Sequence, residues 1–170
     1  IILNDDPDVF DSADDTDICS GGVAILHSEV VGGAGGNNYQ WQEWVGGLWV
    51  DIPGATAADY ETDILSVGSY TYRVVVVQDA GCDGVSDGVS IIVTEDPVVS
   101  ITVSDSEICD GGITTLISEV TGGAGGNNYQ WQQLIEGIWV DIFGANGPTY
   151  TTGILSEGSY IYRVILTQDS

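Results

Sequence analysis

The chain repeats itself. Laid against itself at an offset of 90 residues it matches without a gap: Ile18-Cys19 returns as Ile108-Cys109, and Gly32 to Gln42 returns unchanged as Gly122 to Gln132. Trp49 to Ile52 returns as Trp139 to Ile142, Gly68 to Tyr70 as Gly158 to Tyr160, and Tyr72 to Val74 as Tyr162 to Val164. A self-match of this period marks a tandem array, and roughly 90 residues is enough for one sandwich core. The ends keep the same register. Ile1-Ile2 lies over Ile91-Ile92, Asp6-Pro7 over Asp96-Pro97, and Gln168-Asp169-Ser170 over Gln78-Asp79-Ala80. This predicts residues 1–7 as the end of a preceding repeat with its linker, 8–95 as repeat one, and 96–170 as repeat two without its final strand. The expectation is a window cut from a longer array, or a subunit that borrows its last strand from a neighbour.

Within a repeat the pattern is all-β. Val, Ile, Thr and Tyr dominate the apolar runs, 24 glycines punctuate them, and no stretch has a helical period. Val98 to Ser104 reads as strand A, and Val23 to Val30 and Thr114 to Val120 as strand B. Tyr39 to Gln42 reads as strand C with Trp41 pointing inward, and Leu48 to Ile52 as strand C′ with Leu48, Val50 and Ile52 on the inner face. Asp59 to Leu65 reads as strand E, Tyr70 to Gln78 as strand F, Gly81 to Gly88 as a turn, and Val89 to Thr94 as strand G. Seven short strands with a core tryptophan on the third predict two tandem immunoglobulin-like β-sandwich domains, head to tail.

The motifs Ile-Cys-x-Gly-Gly, Val-x-Gly-Gly-Ala-Gly-x-x-Tyr-Gln-Trp-Gln, Trp-Val-Asp-Ile-x-Gly-Ala, Gly-Ser-Tyr-x-Tyr-Arg-Val and Gly-Cys carry a resemblance. The sequence is similar to the Ig-like and PKD-like repeats of large secreted cell-surface proteins of Bacteroidetes-type bacteria. That resemblance implies an extracellular adhesin or stalk, and it brings no catalytic residues with it.

Charge excludes some partners. The chain has 26 acidic residues, no lysine, and only Arg73 and Arg163 as bases, for a net charge of -24. Such a surface repels phosphate backbones and anionic lipid, so neither nucleic acid nor membrane surfaces are expected partners. No apolar run approaches the ~20 residues of a membrane-spanning helix. The absence of lysine also removes Lys–Asn isopeptide bonds as staples. Catalysis is not expected. No nucleophile elbow or zinc-ligand spacing occurs, and the lone His27 has Ile117 at its repeat position.

Three features remain as candidate sites. Cys19 and Cys109 are repeat equivalents, while Cys82 follows strand F. Two cysteines per repeat fit an oxidising, extracellular compartment. Cys19 and Cys82 fall at opposite ends of one sandwich, too far for the ~7 Å Cα separation that a bridge allows. Bridges between neighbouring repeats are therefore favoured over one within a repeat. Asp5, Asp6, Asp14, Asp15, Asp17, Glu95 and Asp96 cluster near the expected junctions. They are candidate calcium ligands, because hard cations take carboxylate oxygens, and solvated acidic loops are the equal alternative. Trp49, Arg73, Trp139 and Arg163 fall on the outer face of the C–C′–F sheet, together with Gln40, Gln42 and Asp51 and their equivalents. An Arg-over-Trp contact is expected there. Trp44, whose equivalent is Leu134, is the candidate exposed contact. A stalk or filament is the leading reading, and a carbohydrate- or protein-binding module the alternative. The expected partners are other copies or adjoining repeats, head to tail. Ile1, Ile2 and Leu3 are expected to act as an exchanged strand.

Overall fold

The β-branched and aromatic runs fold into strands whose side chains alternate between core and solvent. The computed structural model describes residues 3–169, and the chain divides into two compact units, Ile1–Glu95 and Asp96–Ser170. The first unit contains β1 (Asp8–Ala13), β2 (Asp17–Cys19), β3 (Ile25–Val31), β4 (Asn37–Val45) and β5 (Leu48–Asp51). It continues with β6 (Asp59–Glu61), β7 (Gly68–Gln78), β8 (Asp83–Val85) and β9 (Val89–Thr94). One sheet has the order β1-β3-β6; the other has the order β2-β9-β7-β4-β5, with β8 also paired to β7. β2 runs parallel to β9, whereas β7 is antiparallel to β9 and to β4. A first strand in one sheet whose continuation joins the other beside the last strand is an immunoglobulin-like sandwich.

The second unit contains β10 (Val98–Val103), β11 (Thr115–Thr121), β12 (Gly126–Ile135), β13 (Ile138–Asp141), β14 (Thr149–Thr151) and β15 (Tyr162–Asp169). Its sheets have the orders β10-β11-β14 and β13-β12-β15. Among the described residues there is no counterpart of β9, and the segment equivalent to β2 is not a strand.

Each core is built round one tryptophan. Trp41 and Trp131 are fully buried. Trp41 donates its indole N–H to the Ala57 carbonyl at 3.1 Å, and Trp131 does the same to Gly147 at 2.9 Å. Tyr60 packs between Trp41 and Tyr72 in the first unit, and Tyr150 between Trp131 and Tyr162 in the second. Burial pushes the phenols of Tyr60, Tyr72 and Tyr162 above the ordinary tyrosine range, so they stay neutral.

The structure corrects four details of the sequence reading. Leu48 and Val50 are not inward: they are 70% and 48% exposed. β5 is an edge strand of its sheet, so its strand period persists without a layer above it. Strand E is only Asp59–Glu61, because Thr62 and Leu65 leave the ladder to bond Ala24 and Gly22. The segment read as a turn after strand F contains β8. There Ser86 uses its hydroxyl to accept the Val74 N–H at 2.9 Å, and its own N–H to bond the Val74 carbonyl at 3.0 Å. The last strand is thus broken into β8 and β9 by a local irregularity that the side chain satisfies. Finally, part of the A–B loop is strand β2, held by β9.

The glycine-rich loop after β3 is pinned from inside. The buried Gln78 accepts the Ala34 N–H at 2.6 Å and donates to the Asn37 side chain at 2.8 Å. Gly33 lies against that amide at φ +71°, where an added methyl would collide with the Gln78 side chain. Gly46, at φ +60° in the β4–β5 hairpin, has open space around it. Gly33→Ala is expected to lower stability by ~2–3 kcal/mol, through backbone strain plus the displaced buried amide. Gly46→Ala should lose only ~1 kcal/mol, from the left-handed conformation alone. Urea denaturation of the two variants checks the order; equal losses would mean that the Gln78 anchor carries no weight.

Candidate functional site

Strand register alone lines up a row of polar side chains on the outer face of the first unit's larger sheet. Arg73 on β7 is opposite Gln42 on β4, which is opposite Asp51 on β5. Two residues along, Trp44 is opposite Trp49. Arg73 donates through Nε to the Gln42 side-chain oxygen at 2.7 Å, and Gln42 donates to the Asp51 carboxylate at 2.7 Å. The guanidinium lies over the Trp49 ring, 4.3 Å from its centroid. The second unit repeats every contact. Arg163 donates to Gln132 at 2.6 Å, Gln132 donates to Asp141 at 2.6 Å, and Arg163 lies 4.4 Å over Trp139. The expected cation–π pair is therefore present twice, and each is worth about 0.5–1 kcal/mol at an exposed site. Amide, carboxylate and ring are spent on one another rather than aimed outward.

Trp44 differs. It packs edge-on to Trp49 with ring centroids 5.1 Å apart and is 46% exposed. Leu134 stands opposite Trp139 in the second unit. The first unit thus carries an extra aromatic surface on the same row.

His27 forms a contact that sequence reasoning did not find. It lies on β3 opposite Asp59 of β6, and its ring nitrogens are each 2.9 Å from a carboxylate, Nδ1 from Asp59 and Nε2 from Asp14. The second unit has Ile117, Thr149 and Ser104 at these places. The only available sequence signal was that three polar residues are replaced together between repeats.

The other candidates are dispersed. Cys19 lies on β2 beside Thr94, which follows Val93, the partner of Gly68 at the start of β7. Cys82 lies beyond the far end of that 11-residue strand. At ~3.3 Å per residue the two cannot bridge within the unit. Cys109 is exposed in the second unit, and no disulfide forms among the described residues. Of the proposed calcium ligands, Asp14 is held by His27, Asp6 accepts the Asp83 N–H at 3.4 Å, and Asp17 faces the Thr16 hydroxyl at 3.5 Å. Asp5, Asp15, Glu95 and Asp96 are exposed. Among the described residues no group of three or more acidic, His or Cys side chains is arranged to hold a metal. Ile1 and Ile2 lie outside the described residues, and Leu3 is 96% exposed. No helix among the described residues is long and apolar enough to cross a membrane.

The His27 contact sets a pH dependence. Carboxylates only accept hydrogen bonds, so satisfying both requires both ring nitrogens to be protonated. Hydrogen bonds to Asp59 and Asp14 raise the His27 pKa above 6.5. A raised folded pKa gives stability that is fully present below the unfolded value and is lost as pH rises through the folded one. The native chain should therefore outlast His27→Ile by a larger margin at pH ~5.5 than at pH ~8.5, the window set by that upward shift. Thermal melts at both values test this, with NMR titration of the ring; a pKa at or below 6.5 would refute the assignment.

Several solved structures are similar to this chain. Fibronectin(III)-like modules of Clostridium thermocellum CbhA share 15% identity over 94% of this chain and 86% of that one, with a TM-score of 0.46. Murine CEACAM1b shares 12% over 94% and 92%, with a TM-score of 0.45. A structure described as a promiscuous carbohydrate-binding module of the β-sandwich superfamily shares 11% over 98% and 86%, with a TM-score of 0.42. No curated protein matches by sequence. One family model covers residues 11–95 and again 98–170. With both sandwiches matched, the chain belongs to the family described as Domain of unknown function (DUF8696), of which it carries two consecutive copies.

Proposed function

We propose that this chain is a non-catalytic, extracellular structural repeat, two links of an array that forms a stalk or filament. One observation carries this reading: both units build the same outer-face relay of Asp, Gln, Arg and Trp, closed on itself. A binding module aims polar groups at its ligand, whereas a repeated link uses them to stiffen its own sheet. The net charge of -24 adds solubility and mutual repulsion to a long, exposed array. The sequence's resemblance to secreted bacterial cell-surface repeats supports the same setting.

Adjoining repeats, head to tail, are the partners in this reading. Cys19, Cys82 and Cys109 would bridge neighbours, because the register of β7 and β9 separates Cys19 from Cys82 within one unit. Calcium at Asp5, Asp6, Asp14, Asp15, Asp17, Glu95 and Asp96 belongs to the same proposal and rests on carboxylate chemistry alone.

A second reading rests on Trp44, the half-exposed ring that only the first unit carries. Rings of this kind can stack on a sugar face, which would make the first unit a carbohydrate-binding module. One comparison separates the two readings. Electron microscopy of the native material should show extended filaments or stalks, and a glycan array should show no binding that Trp44→Ala abolishes. Compact single particles together with Trp44-dependent sugar binding would overturn the structural reading in favour of the binding one.

A further inference from the structure

Both units clasp their core tryptophan with the same loop, but the loop differs at two residues. In the first unit it reads Gly54-Ala55-Thr56-Ala57, and in the second Gly144-Ala145-Asn146-Gly147. Ala145 accepts the Trp131 backbone N–H at 3.0 Å, and Gly147 accepts the Trp131 indole N–H at 2.9 Å. Pro148, the next residue, accepts the N–H and the hydroxyl of Ser118 at 2.8 and 2.9 Å. Asn146 therefore stands between the two carbonyls that hold Trp131.

Asn146 also differs from the asparagines on the strands. Asn37, Asn38, Asn127 and Asn128 lie on β4 or β12, and each of their side chains is hydrogen-bonded. Asn146 is exposed and outside any strand, and its side chain has no hydrogen-bond partner among the described residues. The Gly147 N–H donates to no group among the described residues. Gly88 and Gly111, which follow Asp87 and Asp110, have their N–H groups bonded to Asp11 and to the Leu155 carbonyl. A Cβ at Gly147 would meet only the Thr149 carbonyl, at 3.8 Å, so the space beside it is open.

We propose that Asn146-Gly147 is a site of self-modification, where the backbone converts the side chain to aspartate or isoaspartate, and that isoaspartate loosens the clasp on Trp131. The Gly147 nitrogen gives up its proton to solvent and attacks Asn146 Cγ. The new C–N bond closes a cyclic imide as the Cγ–Nδ2 bond breaks, and the side-chain amide leaves as ammonia. Water then opens the ring at either carbonyl. Opening at Cγ gives aspartate with the original backbone. Opening at the Asn146 backbone carbonyl gives isoaspartate, whose main chain runs through Cγ and is one methylene longer. One water is consumed and one ammonia released, with no oxidant or reductant. The added methylene falls between Ala145 and Gly147, so their carbonyls no longer reach Trp131 in register. A buried indole N–H left without its acceptor is destabilising. Aspartate keeps the spacing and only adds a charge at an exposed position. In the first unit Thr56 has no amide to lose. The site stands whether the chain is a link of an array or a binding module.

The test incubates the full 170-residue chain in mildly alkaline and in mildly acidic buffer, followed by peptide mapping. The peptide containing Asn146 should gain ~1 Da, faster in alkali, because the attacking group is the deprotonated nitrogen. Labelling with an isoaspartyl methyltransferase should mark residue 146. Asn146→Thr, with the first unit's residue, should show neither change. Gly147→Ala, again with the first unit's residue, should slow the gain by ~10-fold or more, because the methyl crowds the attacking nitrogen. The isoaspartate-containing fraction should melt ~5 °C or more below the fresh chain. Its Trp131 indole proton should exchange at least ~10-fold faster. Asn146→Asp, made directly, should match the fresh chain in both measurements. A gain at Asn146 no faster than at Asn38 or Asn128 would overturn the site. Modification confined to aspartate, or an isoaspartate fraction that melts and exchanges like the fresh chain, would overturn the loosened clasp.

Discussion

The indole of Trp41 holds the first sandwich together, and that of Trp131 the second. Each ring is fully buried, and each tryptophan is bonded three times to the segment that follows the edge strand. In the first unit its N–H reaches Ala55, its carbonyl takes the Ile52 N–H, and its indole N–H reaches Ala57. The second unit uses Ala145, Ile142 and Gly147 in the same way. A large apolar ring supplies most of a small core's burial, and its one polar atom must find a partner there. Together these fix where the chain crosses from one sheet to the other. Removing such a side chain leaves a cavity worth ~3–5 kcal/mol, a large part of a small domain's net stability.

Above this shared centre the described strands of the units differ at β2, β8, β9 and the start of β7. With β9 in place, Leu65, Tyr72 and Val74 are buried. In the second unit Leu155, Tyr162 and Val164 are partly buried. A strand contributes two edges, so its presence orders residues on both sides of it. In the first unit β9 thereby joins β2 to the start of β7, although the two are far apart in sequence.

The outer faces follow a different logic. In a chain with 26 acidic residues, both arginines lie over tryptophans and both are bonded to a glutamine that is bonded in turn to an aspartate. The cross-strand row lets the positive charge be shared along the sheet without a direct ion pair between neighbours on one strand. His27, Asp14 and Asp59 make a comparable row on the opposite sheet of the first unit. There the row titrates, because its donor is an imidazole.

Much of this was legible in the residues. The 90-residue offset predicted equivalent strands, and β10 to β14 begin and end within a residue of where the first unit's strands predict, while β15 starts at Tyr162, four residues after the equivalent of Gly68. Strand alternation placed Trp41 inward, and pairing Arg73 with Trp49 needed only the strand period. What the sequence could not determine was which faces have a layer above them. Leu48 and Val50 alternate as a buried strand does, yet β5 sits at a sheet edge and leaves them in solvent. Nor could it reveal β2 or the His27 contact, because both depend on residues 13 or more positions away being brought alongside. Sequence determined the period, the core tryptophans and the strand type, since these are local patterns repeated twice. Tertiary structure alone decided edges and cross-strand contacts, since each is a property of which strand lies beside which.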